Sequence, residues 1–133
     1  MKDLHSNILL ASIACAVLAA DNTPVAIDLQ GHNSAELLLQ IGVGGITFSP
    51  TNKIEVVVTH SDDDATYIPV VDQDILGGTV ADDGIIKSLI AAHAAAAAYR
   101  FGYPCLHPCQ YGELTRNTST WHFSLMRNYI HGT

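Results

Sequence analysis

The chain reads as mainly β, a single-domain β-sandwich or jelly-roll-like body, and three observations predict it. Apolar and polar residues alternate at period two in several short stretches, the signature of strands with one face turned inward. Those stretches are separated by clusters of Asp, Asn, Ser, Gly and Pro, the residues of turns. The central pair, Ile54–Thr59 and Thr66–Val71, flanks the polar run Ser61-Asp62-Asp63-Asp64-Ala65, a composition that closes an antiparallel hairpin. About seven to eight short strands follow from this spacing.

Residues 1–20 resemble a secretory signal peptide in outline: Lys2, an apolar run from Ile8 to Ala19, and small residues before Asp21. Asp3 weakens the basic end of that pattern. The run is shorter than the about 20 residues of a membrane span. An amphipathic helix or an extended arm remains, and residues 1–20 are set apart from the body, 21–133, as an N-terminal arm or first strand.

Asp21-Asn22-Thr23-Pro24 is a turn, after which Val25, Ile27 and Leu29 alternate with Ala26, Asp28 and Gln30. Gly31-His32-Asn33-Ser34 turns the chain again, and Ala35, Leu37, Leu39 and Ile41 alternate with Glu36, Leu38 and Gln40. Gly42, Gly44 and Gly45 then break the pattern. They lack the Lys-Ser/Thr ending of a phosphate loop. In the central hairpin, Ile54, Val56 and Val58 share one face, with Glu55, Val57 and Thr59 on the other. The three aspartates between the arms lack the alternating ligands, bend glycine and distal glutamate of a calcium loop, so they read as a solvated turn.

From Ile85 to Tyr99 local propensity points to a helix, since alanine is the best helix former and five stand together. Near the C-terminus Trp121, Phe123, Leu125 and Tyr129 alternate with His122, Ser124, Met126 and Asn128, a closing strand with an aromatic face. Asn117-Thr118-Ser119 fits the glycosylation acceptor pattern, which carries meaning only in a secretory context.

Composition narrows the function classes. A chain of 133 residues can bury a stable core without metal or disulfide staples. Only 14% of residues are charged, below the usual quarter, which hints at surface covered by partners. Net charge is −7 and the six basic residues are scattered singly, so no stripe exists to neutralise phosphates and nucleic-acid binding is not expected. No Ser/His/Asp set, paired carboxylate or nucleotide loop is recognisable, and an enzyme is the least supported class. His93, in the alanine run, has no acid or nucleophile placed beside it. Cys105, His107 and Cys109 form the only segment with the look of metal chemistry, yet they crowd one five-residue span where structural zinc uses two separated pairs; His122 or His131 could supply a fourth ligand after folding, but nothing in the spacing requires it. Free thiols in a Pro-rich loop are the default, with zinc or a Cys105–Cys109 disulfide as alternatives; no cofactor is expected.

Met1-Lys2-Asp3-Leu4, the segment Ala26-Ile27-Asp28-Leu29-Gln30-Gly31-His32-Asn33-Ser34-Ala35, the stretch from Thr59 to Val71 ending in Asp74-Ile75-Leu76-Gly77, and Tyr99-Arg100-Phe101-Gly102-Tyr103 together resemble a family of small proteins encoded beside the major capsid protein in tailed phages and prophages. The resemblance covers residues 1–103. It departs afterwards, where Pro104-Cys105-Leu106-His107-Pro108-Cys109 replaces a basic tract. It implies a structural virion protein, a head decoration or minor capsid component on the capsid surface, present in the host cytoplasm during assembly. Its implied partners are the major capsid protein and further copies of itself, a trimer being favoured, with no membrane involved. A head–tail connector or tail component is the alternative, and a secreted small β domain a third reading resting on the signal-like start. The resemblance also favours an arm for residues 1–20. Against propensity, it implies strand for Ile85–Ile90, at most a short helical turn near Ala92–Ala97, and strand again from Tyr99. Partner contacts are expected at Ile8, Leu9 and Leu10 of the arm and at Tyr99, Phe101 and Tyr103, where apolar groups exceed what a small core needs.

Overall fold

A computed structural model of the chain describes residues 24–29, 32, 34–44, 47–50, 52–61, 63–104 and 120–125, with isolated positions 8, 10 and 11. The described residues form seven strands: β1 (Val25–Asp28), β2 (Ser34–Ile41), β3 (Ile54–Ser61), β4 (Ile68–Pro69), β5 (Ile85–Leu89), β6 (Ala97–Pro104) and β7 (Thr120–Leu125). Two short 3-10 turns, Asp72–Asp74 and Asp82–Gly84, lie between β4 and β5. The fold is mainly β, and all strand pairs are antiparallel.

β3 is the centre of the larger sheet. One edge pairs along Val56–Ser61 with β7, which pairs in turn with β1. Its other edge is divided, with β5 on the Ile54–Val57 half and β4 on the Thr59–His60 half. The division explains why β4 is two residues long where alternation predicts a strand over Thr66–Val71. Pro69 has no N–H to continue a ladder, and β5 occupies the rest of that edge. The smaller sheet holds β2 and β6 in register from Ser34↔Pro104 to Ile41↔Ala97.

The two sheets face each other through one core. Val56 and Val58 of β3, Ile86 of β5, and Phe101 and Tyr103 of β6 meet Leu29, Val70 and Ile75, with Ala35, Leu37 and Leu39 of β2 packed against them. Burying each of the larger side chains contributes about 1.5–3 kcal/mol. The alternation on β2 is preserved, odd-numbered residues half-buried and even-numbered ones exposed. On β3 it is not, because both faces of its first half are covered. Glu55, expected on the outer face, is 6% exposed. Its carboxylate is satisfied by Lys53 Nζ at 2.5 Å and by the Ser88 hydroxyl at 3.3 Å, from the residue directly opposite on β5. A register shift between Val56 and Val57 sends the extra β5 residue, Ile86, into the core.

Sequence and structure part company at the alanine run. No helical turn forms over Ala92–Ala97. Bends carry the chain past His93, whose backbone N–H and C=O exchange hydrogen bonds of 2.8 Å with Gly44, and β6 begins at Ala97. The Gly44–His93 bridge and the β2 ladder from Ala97 onward tie the run down, and this outweighs alanine's local preference, which is a fraction of a kcal/mol per residue, about 0.7 at most for ordinary side chains. Ile85–Leu89 is extended as the resemblance implied.

The β3–β4 turn has the chemistry its sequence suggests. The Asp63 carboxylate accepts the backbone N–H groups of Ala65 at 2.9 Å and Thr66 at 2.7 Å and the Ser61 hydroxyl at 2.8 Å. These donors hold its pKa well below the ordinary 3.8, the Thr66 and Ala65 N–H groups contributing most. Asp64 takes a positive φ of 57° and accepts the Tyr67 hydroxyl, which is pushed up to about 12 by desolvation and by that aspartate. Because Asp63 is more acidic folded than unfolded, the stability it contributes is present above the ordinary carboxylate range and disappears as pH falls through and below it. Asp63→Ala is therefore expected to lower the melting temperature at pH 7, with the gap to the parent closing steadily below about pH 4. Thermal melts of both proteins across that range check it.

Candidate binding surface

The described residues contain buried carboxylates, a cleft and an exposed apolar surface, and each bears on function differently. Asp74, 4% exposed, accepts the Val71 N–H at 2.9 Å and so closes the 3-10 turn that leads into Ile75 and Leu76. With Glu55 held by Lys53 and Ser88, both buried carboxylates have structural employment. Among the described residues no group of three His, Cys, Asp or Glu is placed to hold a metal ion, and no helix is long and apolar enough to cross a membrane.

A cleft of about 380 Å³ opens between the Gly77–Ala81 segment and strands β5 and β6. Ile86 and Phe101 are among its lining residues, with Lys87, Ser88, Tyr99 and Arg100. The Lys87 ammonium sits 4.1 Å from the centroid of the Tyr99 ring, a cation–π contact, and Arg100 Nε is 3.3 Å from Glu36. The Ser88 hydroxyl donates to Glu55, and no histidine lines the cleft.

The outer face of the smaller sheet is the more distinctive surface. Leu38 is 62% exposed and stands opposite Arg100. Leu76, 59% exposed, bridges to Gly102 by two backbone hydrogen bonds, N–H to O=C at 2.7 Å and 2.9 Å, so that it flanks β6 on the side away from β2. A Cβ on Gly102 would lie 3.3 Å from the Leu76 Cβ. Glycine there lets leucine lie across the strand. Val43, Val71 and Ile90, outside the two strands of this sheet, are exposed as well.

The contact residues expected from sequence divide accordingly. Phe101 and Tyr103, expected at a partner contact, are buried in the core: their positions on β6 point between the sheets, and Tyr103 places its hydroxyl 3.4 Å from His60 Nδ1. The apolar excess near residue 100 is used by the core itself. Tyr99 is half-buried, packed against the core and under Lys87, with His93 edge-on at a ring separation of 6.4 Å. Ile8 and Leu10 are exposed. Leu9, the rest of the arm apart from Ala11, and Cys105, His107 and Cys109 lie outside the described residues. Leu38 and Leu76 were missed because each sits in a stretch whose alternation or motif suggested structure alone. Leu38 was the available signal, a leucine on the polar side of its strand.

Comparison with protein-family models, with curated proteins and with solved structures finds no match.

Proposed function

We propose that this chain is a structural virion protein of a tailed phage, a head decoration or minor capsid component that binds the capsid lattice. The observation that carries the proposal is a small two-sheet body that leaves large aliphatic side chains in solvent, Leu38, Val43, Leu76 and Ile90 among them. Large aliphatic side chains left in solvent are groups that a docking chain can cover. The motif resemblance over residues 1–103 supplies the identity of that chain, the major capsid protein. The acidic balance supports a protein partner over nucleic acid. On this reading the chain acts by covering seams between capsomers, as a homo-oligomer at local symmetry axes.

Quantitative mass spectrometry of purified particles tests it, with this chain counted against the major capsid protein. A ratio between one to one and one to a few is expected. A few copies per particle, as ring symmetry at a portal dictates, would move the protein to the connector or tail, and absence from particles would overturn the virion reading.

A further inference from the structure

We infer that β2 is a homodimerisation edge: two copies of the chain pair their β2 strands antiparallel about a twofold axis at Leu38, joining two small sheets into one of four strands. This inference does not rest on the virion reading, and it is tested free of any particle.

The two edges of the smaller sheet are unequal. β6 is flanked by β2 on one side and bridged by Leu76 on the other. β2 is the outermost strand, with no further strand on its free edge among the described residues. Eight residues of extended backbone therefore present a row of N–H and C=O groups to one side. Natural edge strands are guarded by lysine, proline, a bulge or brevity. β2 has none of these. It contains no proline and no basic residue, it runs in unbroken register with β6, and its single charge is Glu36.

The sequence of β2 selects the partner. Pairing two identical antiparallel strands about residue 38 sets Leu38 against Leu38, Leu37 against Leu39, Ala35 against Ile41 and Glu36 against Gln40 of the second copy. Every apolar residue then meets an apolar one on the same face, and no carboxylate meets another. Moving the axis one residue either way sets Leu38 against Glu36 or against Gln40, so the Leu38 register is the self-complementary one. The half-buried inner side chains Ala35, Leu37, Leu39 and Ile41 gain cover from the same residues of the second copy, and the exposed Leu38 is buried on the axis. An isologous contact of this form closes at two and does not propagate.

Sedimentation of the full-length chain over a concentration series provides the first test. The mass is expected to rise from the 14.2 kDa protomer toward twice that value. Leu38→Lys places two ammonium groups together on the axis and is expected to weaken association at least tenfold while leaving the circular dichroism spectrum unchanged. Gln40→Glu and Gln40→Lys act in opposite directions, since the introduced group faces Glu36 twice in the dimer. The first weakens and the second strengthens association, each by about 3- to 10-fold. Register is read by Leu38→Cys with Cys15, Cys105 and Cys109 changed to serine. Residues directly opposite have Cα atoms about 4.5–5.5 Å apart, within disulfide range, so oxidation gives a covalent dimer. Glu36→Cys alone does not, but mixed with Gln40→Cys it does. A chain that stays monomeric at its highest soluble concentration, an association indifferent to Leu38→Lys, or cross-linking without this register dependence overturns the inference.

Discussion

Replacing Gly84 by alanine is expected to lower the melting temperature by about 10–20 °C, with little native protein left in the upper part of that range. Gly84 ends the second 3-10 turn and delivers the chain into β5, at the seam where β4 and β5 share the edge of β3. Its φ is +78°, a conformation that costs an alanine roughly 1–2 kcal/mol. A Cβ would also stand 2.4 Å from the Val58 carbonyl oxygen and 3.1 Å from the Pro69 Cβ. The oxygen belongs to the backbone of the central strand and the proline to its short partner, so neither can turn aside as a flexible side chain would. Overpacking of this kind adds about 1–3 kcal/mol, and the two effects act together. Two other glycines separate them. At Gly44, φ is +103° but a Cβ meets nothing within 4 Å, so Gly44→Ala isolates the backbone cost and should shift the melt by a few degrees. Gly42 has neither constraint, and Gly42→Ala is expected to leave the melt unchanged or raise it slightly. Equal effects at all three positions would show that the seam is not rigid.

What could be read from sequence was local, and what could not was the product of pairing at a distance. Val25–Asp28, Ser34–Ile41 and Ile54–Ser61 alternate clearly, and each is a strand within a residue or two of the expected bounds. The aspartate-rich turn was equally plain, because Asx chemistry acts over two or three residues and Asp63 meets its partners within that distance. The order of strands in the larger sheet had no such signal. β7 enters between β1 and β3, uniting segments near residues 25, 58 and 123, and nothing in any one of them names the others. The same is true of Glu55. An alternating pattern assigns it to solvent, and its burial is made tolerable by the Lys53 ammonium together with Ser88, which arrives from β5. At the alanine run the local signal was strong and misleading, since the Gly44–His93 bridge and the ladder to β2 that starts at Ala97 outweighed it. Surface sites were least legible, because a leucine on the polar side of a strand differs from its neighbours by one position in an otherwise regular pattern.

Phe101→Ala is expected to cost about 3–5 kcal/mol and to lower the melting temperature by an amount comparable with the seam variant. The sequence suggests a contact residue at this position, and the two roles predict opposite results. A partner contact truncated to alanine would leave the free protein's melt within about 2 °C, because exposed substitutions stay within roughly 0.5 kcal/mol. Phe101 is instead 5% exposed, in the core between the sheets with Val56, Val58 and Ile86. A Cβ on Gly78 would fall 2.8 Å from its Cε1, which shows how closely the 77–81 segment lies over the ring. Removing the ring opens a cavity that the strand backbones on either side cannot collapse to fill, held as they are by ladders to β2 and β3. It also loosens that segment, where Gly77 and Gly78 line the cleft. Leu38→Ala is expected to do the opposite, preserving the melt and reducing self-association. Thermal melts and sedimentation of this pair separate the residues that build the body from those that meet a partner. A preserved melt for Phe101→Ala would return residue 101 to the surface.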